Sequence, residues 1–120
     1  MTVLCAGEAL LDLVWTPVGV PVESARGVDL HPGGSTVNVA IALARLGLDT
    51  RLCTAVGADD MGAWLLRRVG GEGVDISGVQ RLPRTRTGLV FIHVDGGAER
   101  HFTPAREQTS DGRMGPGLVD

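Results

Sequence analysis

The sequence predicts an α/β fold in which a parallel sheet with flanking helices carries a small additional β-sheet. Three observations lead there. Apolar runs without polar alternation occur at Val3–Gly7 and Thr50–Val56, as expected of strands covered on both faces in a parallel sheet. Two helical patterns alternate with such runs, giving β-α-β-α-β. A strand pair joined by Asp95-Gly96-Gly97 then breaks the alternation, and a hairpin appended to a βαβ core belongs to a separate small sheet, such as a lid.

The elements follow in order. Val3 to Gly7 is a short apolar run and reads as a buried, parallel strand. Leu10 to Trp15 continues extended, and Pro17, Gly19 and Pro21 break it. Val28 to Leu30 is a weak strand. His31-Pro32-Gly33-Gly34-Ser35-Thr36 reads as a tight turn with Ser35 or Thr36 as helix cap. The helix is predicted over Val37–Leu46 with Gly47 just past its end. Its only polar residues are Asn38 and Arg45, so it is expected to be buried against a sheet. After the strand to Val56, Gly57-Ala58-Asp59-Asp60 turns the chain into an amphipathic helix, Met61–Val69, whose buried stripe is Met61, Leu65 and Val69. Val74–Ile76 is a short strand or extended link. Thr87–Val94 and Glu99–Thr103 form the hairpin. From Arg106 to Asp120 the chain is polar, then Gly-rich, without periodicity, and is expected to be poorly ordered.

Composition narrows the function. The 120 residues suit one domain. With 3% aromatic residues, the core must be aliphatic. All 11 basic residues are Arg and they are scattered, at a net charge of −3, so there is no basic stripe for a nucleic acid. No run approaches a membrane span of roughly 20 residues, and Met1-Thr2-Val3-Leu4 lacks the basic start of a secretory signal. Cys5 and Cys53 lie in apolar runs and read as buried thiols in a reducing cytoplasm, with no zinc-site spacing.

Three places can carry chemistry. Gly33-Gly34 lets a ligand approach the backbone, or lets the chain hinge. The helix after it offers free N–H groups, and Asn38 lies in its first turn. A buried carboxamide left unpaired costs about 1–3 kcal/mol, so Asn38 is expected to bond either local backbone or a ligand. Asp12 follows the first strand, at the carboxyl end where ligands bind in open α/β sheets, and it can accept two sugar hydroxyls; a solvated loop Asp is the plain alternative. Glu8, nearer the strand, is equally a structural candidate. Arg106 follows the hairpin and by itself is an ordinary surface Arg. Dinucleotide and P-loop sites are excluded: Gly7 is followed by Glu8-Ala9-Leu10, and the chain has no Lys.

The stretch Pro32-Gly33-Gly34-Ser35-Thr36-Val37-Asn38-Val39-Ala40, then Arg45-Leu46-Gly47, then Val56-Gly57-Ala58-Asp59-Asp60-Met61-Gly62, resembles the first signature of PfkB carbohydrate kinases. Gly7-Glu8-Ala9-Leu10-Leu11-Asp12 is similar to the family's first strand and sugar-binding Asp, and Gly73-Val74-Asp75 and Thr87-Gly88 also match. The resemblance spans residues 3 to about 106. Thr36 departs from it, standing where the family has Gly, Ala or Pro.

The resemblance implies a Rossmann-like ribokinase fold with a β-lid: core about 1–12 and 32–80, lid about 13–31 and 82–104, tail 105–120. It implies that Asp12, Gly33, Gly34 and Asn38 bind the sugar, with Gly33-Gly34 as the lid hinge. Arg106 resembles an Arg that fructokinase and 2-keto-3-deoxygluconate kinase relatives place near substrate. The reaction implied is transfer of the ATP γ-phosphoryl group to a sugar hydroxyl with Mg²⁺. The family's second signature, which supplies the catalytic base and anion hole, and its ATP site have no counterpart in these 120 residues. The chain is therefore expected to be the N-terminal, sugar-binding part of such a kinase, inactive by itself, with no catalytic residue and no metal ligand of its own. The partners expected are a small-molecule sugar and a second copy through the lid, in the cytoplasm, with no nucleic acid or membrane. A non-catalytic binding module, or a nucleoside kinase of the same family, is the alternative.

Overall fold

The computed structural model describes residues 1–115 and 117. In chain order the elements are β1 (Val3–Ala6), β2 (Leu10–Thr16), β3 (Gly27–Gly33), α1 (Ser35–Arg45), β4 (Thr50–Cys53), β5 (Ala55–Gly57), α2 (Asp60–Gly71), β6 (Gln80–Leu82), β7 (Gly88–Val94) and β8 (Arg100–Ala105), with single 3₁₀ turns at Val22–Ser24 and Ser110–Gly112.

β1 pairs in parallel with β4, Val3 opposite Thr50 and Ala6 opposite Cys53. Beyond Thr54 the same run continues as β5, which pairs in parallel with β6. Between them Asp75 bridges to Arg51, so the predicted link at Val74–Ile76 contributes a single bridge. The strand after it, β6, was not expected from the sequence. The second sheet has the order β3-β2-β7-β8. β2 and β7 are parallel, while the outer pairs are antiparallel. Pro32 and Pro104 both lie on its outer strands, where a missing N–H is tolerated.

Several expectations need correction. His31, Pro32 and Gly33 are not a turn; they extend β3 up to the helix. Gly34 alone makes the step, at φ 95°, and it is the N-cap of α1 with no side-chain cap from Ser35 or Thr36. α1 is not buried all round. Val37 and Ala40 are enclosed, whereas Val39 is 52% exposed. The outward side of β1 is also open, with Leu4 54% exposed. The reason is shared: α1 packs against β1, β3 and β4, and nothing among the described residues covers the remaining apolar face. On α2 the buried stripe is Gly62, Leu65, Leu66 and Val69, shifted by one position from Met61, which faces outward. The segment from Arg106, expected to be poorly ordered, folds back as far as Gly112, and Thr109 and Ser110 are buried. Arg113, Gly115 and Gly117 are exposed, and Pro116 and the last three residues of that expectation lie outside the described residues.

Alternation along β2 joins the two layers. Successive side chains point to opposite faces. Leu11 and Leu13 enter a core with Leu52, Val56, Leu65 and Val69. Enclosing each such side chain stabilises the fold by about 1.5–3 kcal/mol. On the same side, farther out, Trp15 stacks on Phe91 with ring centroids 5.5 Å apart. Asp12 and Val14 point the other way. Cys5 and Cys53 are buried free thiols, as expected. Burial, with the neighbouring Cys53, pushes the Cys5 thiol above its ordinary range.

Candidate functional site

The outward face of the second sheet forms a cavity of about 600 Å³ lined by Asp12, Val14, Asp29, His31, Ile92 and Arg100, among others. Strand register explains the grouping. Asp12 stands opposite His31, and Val14 opposite both Asp29 and Ile92. Arg100 enters from β8, opposite Val94.

Asp12 is half-buried and accepts no hydrogen bond among the described residues. Burial raises its carboxyl above the ordinary range, and the charges of His31 and Arg100 work against that rise. Its carboxylate leans over Gly33. A Cβ built on Gly33 would come within 2.7 Å of the Asp12 carboxyl, and one on Gly34 within 2.9 Å of the Glu8 carbonyl. A side chain at Gly33 would displace the Asp12 carboxyl, whereas Gly34 abuts fixed backbone and also needs its positive φ.

Asn38 lies in the first turn of α1 and is exposed. Its backbone N–H reaches the Gly34 carbonyl at 3.0 Å. The side chain has no hydrogen-bond partner among the described residues. The expectation of a buried carboxamide obliged to find a partner therefore fails: the helix around Asn38 is apolar, but that side of it is uncovered.

Arg106 is held between two carboxylates. Its Nε donates to Asp111 Oδ2 at 2.7 Å, and its guanidinium pairs with Glu8. The Asp111 side chain is 4% exposed. Glu8 belongs to the loop between β1 and β2, so this clamp ties the exit of the hairpin to the segment that bears Asp12.

Asp59 organises the other end of the motif. One oxygen caps α2 by accepting from Gly62 N at 2.7 Å and accepts the Thr87 hydroxyl at 2.8 Å; the other accepts Thr87 N at 2.9 Å. The Thr87 hydroxyl in turn accepts from Gly57 N at 3.0 Å. Burial raises the Asp59 carboxyl, but these donors outweigh it and hold it below the usual range. The Gly57–Gly62 and Thr87-Gly88 segments thus meet as a structural lock rather than at the cavity.

The structure brings Asp12 and Gly33 together, with Gly34 and Asn38 beyond them. It places Arg106 in the clamp. Asp29, His31 and Arg100 were not singled out from the sequence. Alternation along β3 and β8 would have put them beside Asp12 had His31-Pro32 been read as strand.

These motifs and this architecture recur in known proteins. The model of the pfkB family of carbohydrate kinases matches residues 2–115. The chain belongs to the PfkB family of carbohydrate kinases. It is 37% identical over 109 residues to fructokinase-1 of Oryza sativa subsp. japonica, covering 91% of this chain and 34% of that protein. The crystal structure of a PfkB protein from Polaromonas sp. JS666 superimposes with a TM-score of 0.90 at 32% identity, over 100% of this chain and 40% of that one. A fructokinase from Xylella fastidiosa with bound ATP matches with a TM-score of 0.79 at 34% identity, over 92% and 34%. The ribokinase-type fold expected from the sequence is thus shown. The chain spans about a third of the length of the curated relatives it matches.

Proposed function

We propose that this chain is the sugar-holding part of an ATP-dependent carbohydrate kinase. The observation that carries the reading is Asp12, a half-buried carboxylate without a hydrogen-bond partner among the described residues, set over the side-chain-free Gly33 at a cavity large enough for a sugar. A carboxylate accepts two hydroxyl hydrogen bonds, so adjacent hydroxyls suit Asp12. The Asn38 carboxamide, also unpartnered, offers both a donor and an acceptor across the Gly34 step. Gly34 keeps the approach clear and serves as the hinge between the lid strand β3 and α1.

Arg106 contributes indirectly in this reading, by fixing Glu8 and hence the loop before Asp12. The donor set does not fit a nucleotide: Asp12 and Asp29 repel a triphosphate. ATP, with Mg²⁺, supplies the phosphoryl group in the family's reaction, while the residues here orient the acceptor.

The test is a titration of the ¹⁵N-labelled chain with fructose, paired with an assay for ADP in the presence of ATP and Mg²⁺. Fructose should shift the amides of Asp12, Gly34 and Asn38 at millimolar concentration, with no sugar-dependent ADP. Asp12→Ala should weaken binding at least about tenfold, a loss of about 1.4 kcal/mol, as expected for a charged hydrogen-bond acceptor. Fructose shifts that ignore these residues would sink the reading, and sugar-dependent ADP would overturn the inactivity of the isolated chain.

A further inference from the structure

We propose that His31 is a further sugar-contacting residue, donating a ring N–H to a hydroxyl oxygen of the acceptor that Asp12 anchors; the proposal rests on the sugar-holding role of Asp12 given above. The placement follows from the strands. Asp12 on β2 and His31 on β3 are direct partners in the antiparallel pair, and the Cβ atoms of such partners stand about 4.5–5.5 Å apart. Along β3, Val28 and Leu30 pack towards the core. Alternation therefore turns His31 the other way, into the cavity that Asp12 lines. Of the polar side chains around that cavity, His31 is the one paired with Asp12. Asp29 stands opposite Val14, and Arg100 reaches in from β8, with β7 between β8 and β2.

The chain has three histidines, and the other two are engaged. His93 Nε2 meets the Val20 carbonyl at 2.7 Å, and His101 Nε2 meets the Asp95 carboxylate at 2.8 Å. His31 has no hydrogen-bond partner among the described residues, Asp12 included. Two polar side chains thus face each other across the strand pair without bonding. Burial raises the Asp12 carboxyl, and the charge of His31 is foremost among those opposing the rise, which agrees with their closeness. The chemistry of the pair is complementary. A carboxylate only accepts, whereas a hydroxyl carries one O–H donor and two lone pairs. A sugar hydroxyl that donates to Asp12 therefore still wants a donor for its own oxygen. Imidazole has an N–H to give, so His31 supplies from the neighbouring strand what Asp12 lacks.

The experiment follows the histidine ring nitrogens of the ¹⁵N-labelled chain during a fructose titration at fixed pH, alongside the backbone amides. The His31 ring signals should move in step with the Asp12 amide, while those of His93 and His101 stay in place. His31→Ala should weaken fructose binding about fivefold, as for loss of one hydrogen bond. His31→Phe keeps a flat ring without a donor and should lose as much. His31→Gln restores a donor and should bind more tightly than either. His31 is exposed, so the variants should keep their fold, which their own amide spectra verify. A His31 ring that does not respond while the Asp12 amide shifts, or a His31→Phe variant that binds like the parent, overturns the proposal and leaves the role of Asp12 intact. Tighter binding by His31→Ala also overturns it, since the imidazole would then compete with the sugar for Asp12. If fructose moves neither the Asp12 amide nor the His31 ring, the sugar-holding role itself fails, and the proposal with it.

Discussion

Asp59 allows the strongest prediction, because its three hydrogen bonds join parts of the fold that are distant in sequence. Asp59→Ala removes the cap on α2, worth about 1 kcal/mol within a range of about 0.5–2. It also strands the Thr87 N–H and hydroxyl, on a residue 3% exposed. Each loses its acceptor, at about 1 kcal/mol if the low end of the range applies. The total is about 3 kcal/mol, a large share of the 5–15 kcal/mol typical of a domain. With a urea slope of about 1.5 kcal/mol per molar, the midpoint should fall by about 2 M. Asp59→Asn keeps one acceptor and should lose about half as much. The pH dependence has a definite sign. The folded-state pKa of Asp59 is lowered, so its contribution is fully present above the unfolded pKa of about 3.9 and is lost as pH falls through the lower folded value. Asp59→Asn should flatten that acid limb. A midpoint shift under 0.3 M for Asp59→Ala, or an unchanged acid limb for Asp59→Asn, would refute the claim that this motif is a structural lock.

Asp12 must be ionised to accept hydroxyls at both oxygens, and burial raises its pKa, so fructose binding should weaken on acidification starting above the ordinary Asp value of about 3.9; a titration midpoint below that value contradicts the desolvation. Among the described residues β1 pairs only with β4, and Leu4 and Val39 are exposed beside an apolar groove of about 330 Å³. An open apolar edge templates pairing, so the isolated chain should self-associate. Its light-scattering mass should rise with concentration and Leu4→Lys should reduce the rise, whereas a concentration-independent monomer would show that the exposed face is tolerated.

Much of the fold was legible because periodicity and punctuation agreed. β1, β4, β7 and both helices follow from apolar runs bounded by Gly or a capping Asp. β6 was not legible: Gln80-Arg81-Leu82 is three residues long, two of them polar, and becomes a strand only because β5 offers an edge. His31-Pro32-Gly33 misled for a local reason, since Pro and Gly are turn formers except on an outer strand. Asp12 was singled out as lying just beyond the first strand, but it stands within β2, whose alternation turns it to the outward face of the second sheet. The clamp on Arg106 was not legible, since one partner, Glu8, lies 98 residues away in sequence. Asn38 shows the opposite error: an apolar helix implies burial only where something lies across it, and among the described residues nothing covers that face.

The arrangement also explains why the Gly33-Gly34 pair sits where it does. β3 ends at Gly33 and α1 begins at Ser35, so Gly34 is the sole residue between the four-stranded sheet and the helix. Asp12 stands on the sheet side of that step, over Gly33, and Asn38 stands on the helix side, one turn in. A rotation at Gly34 therefore changes the separation of the two polar groups directly, with no longer loop to absorb it. In the proposed reading, a sugar bonded to both would fix the angle between the four-stranded sheet and α1, so its binding energy would set that angle as well as hold the acceptor. Substituting Gly34 would act on both at once, because the Glu8 carbonyl leaves no room for a Cβ and the backbone angle favours glycine. Glu8 is in turn held by Arg106, so the clamp, the glycine step and the two proposed sugar contacts form one connected unit.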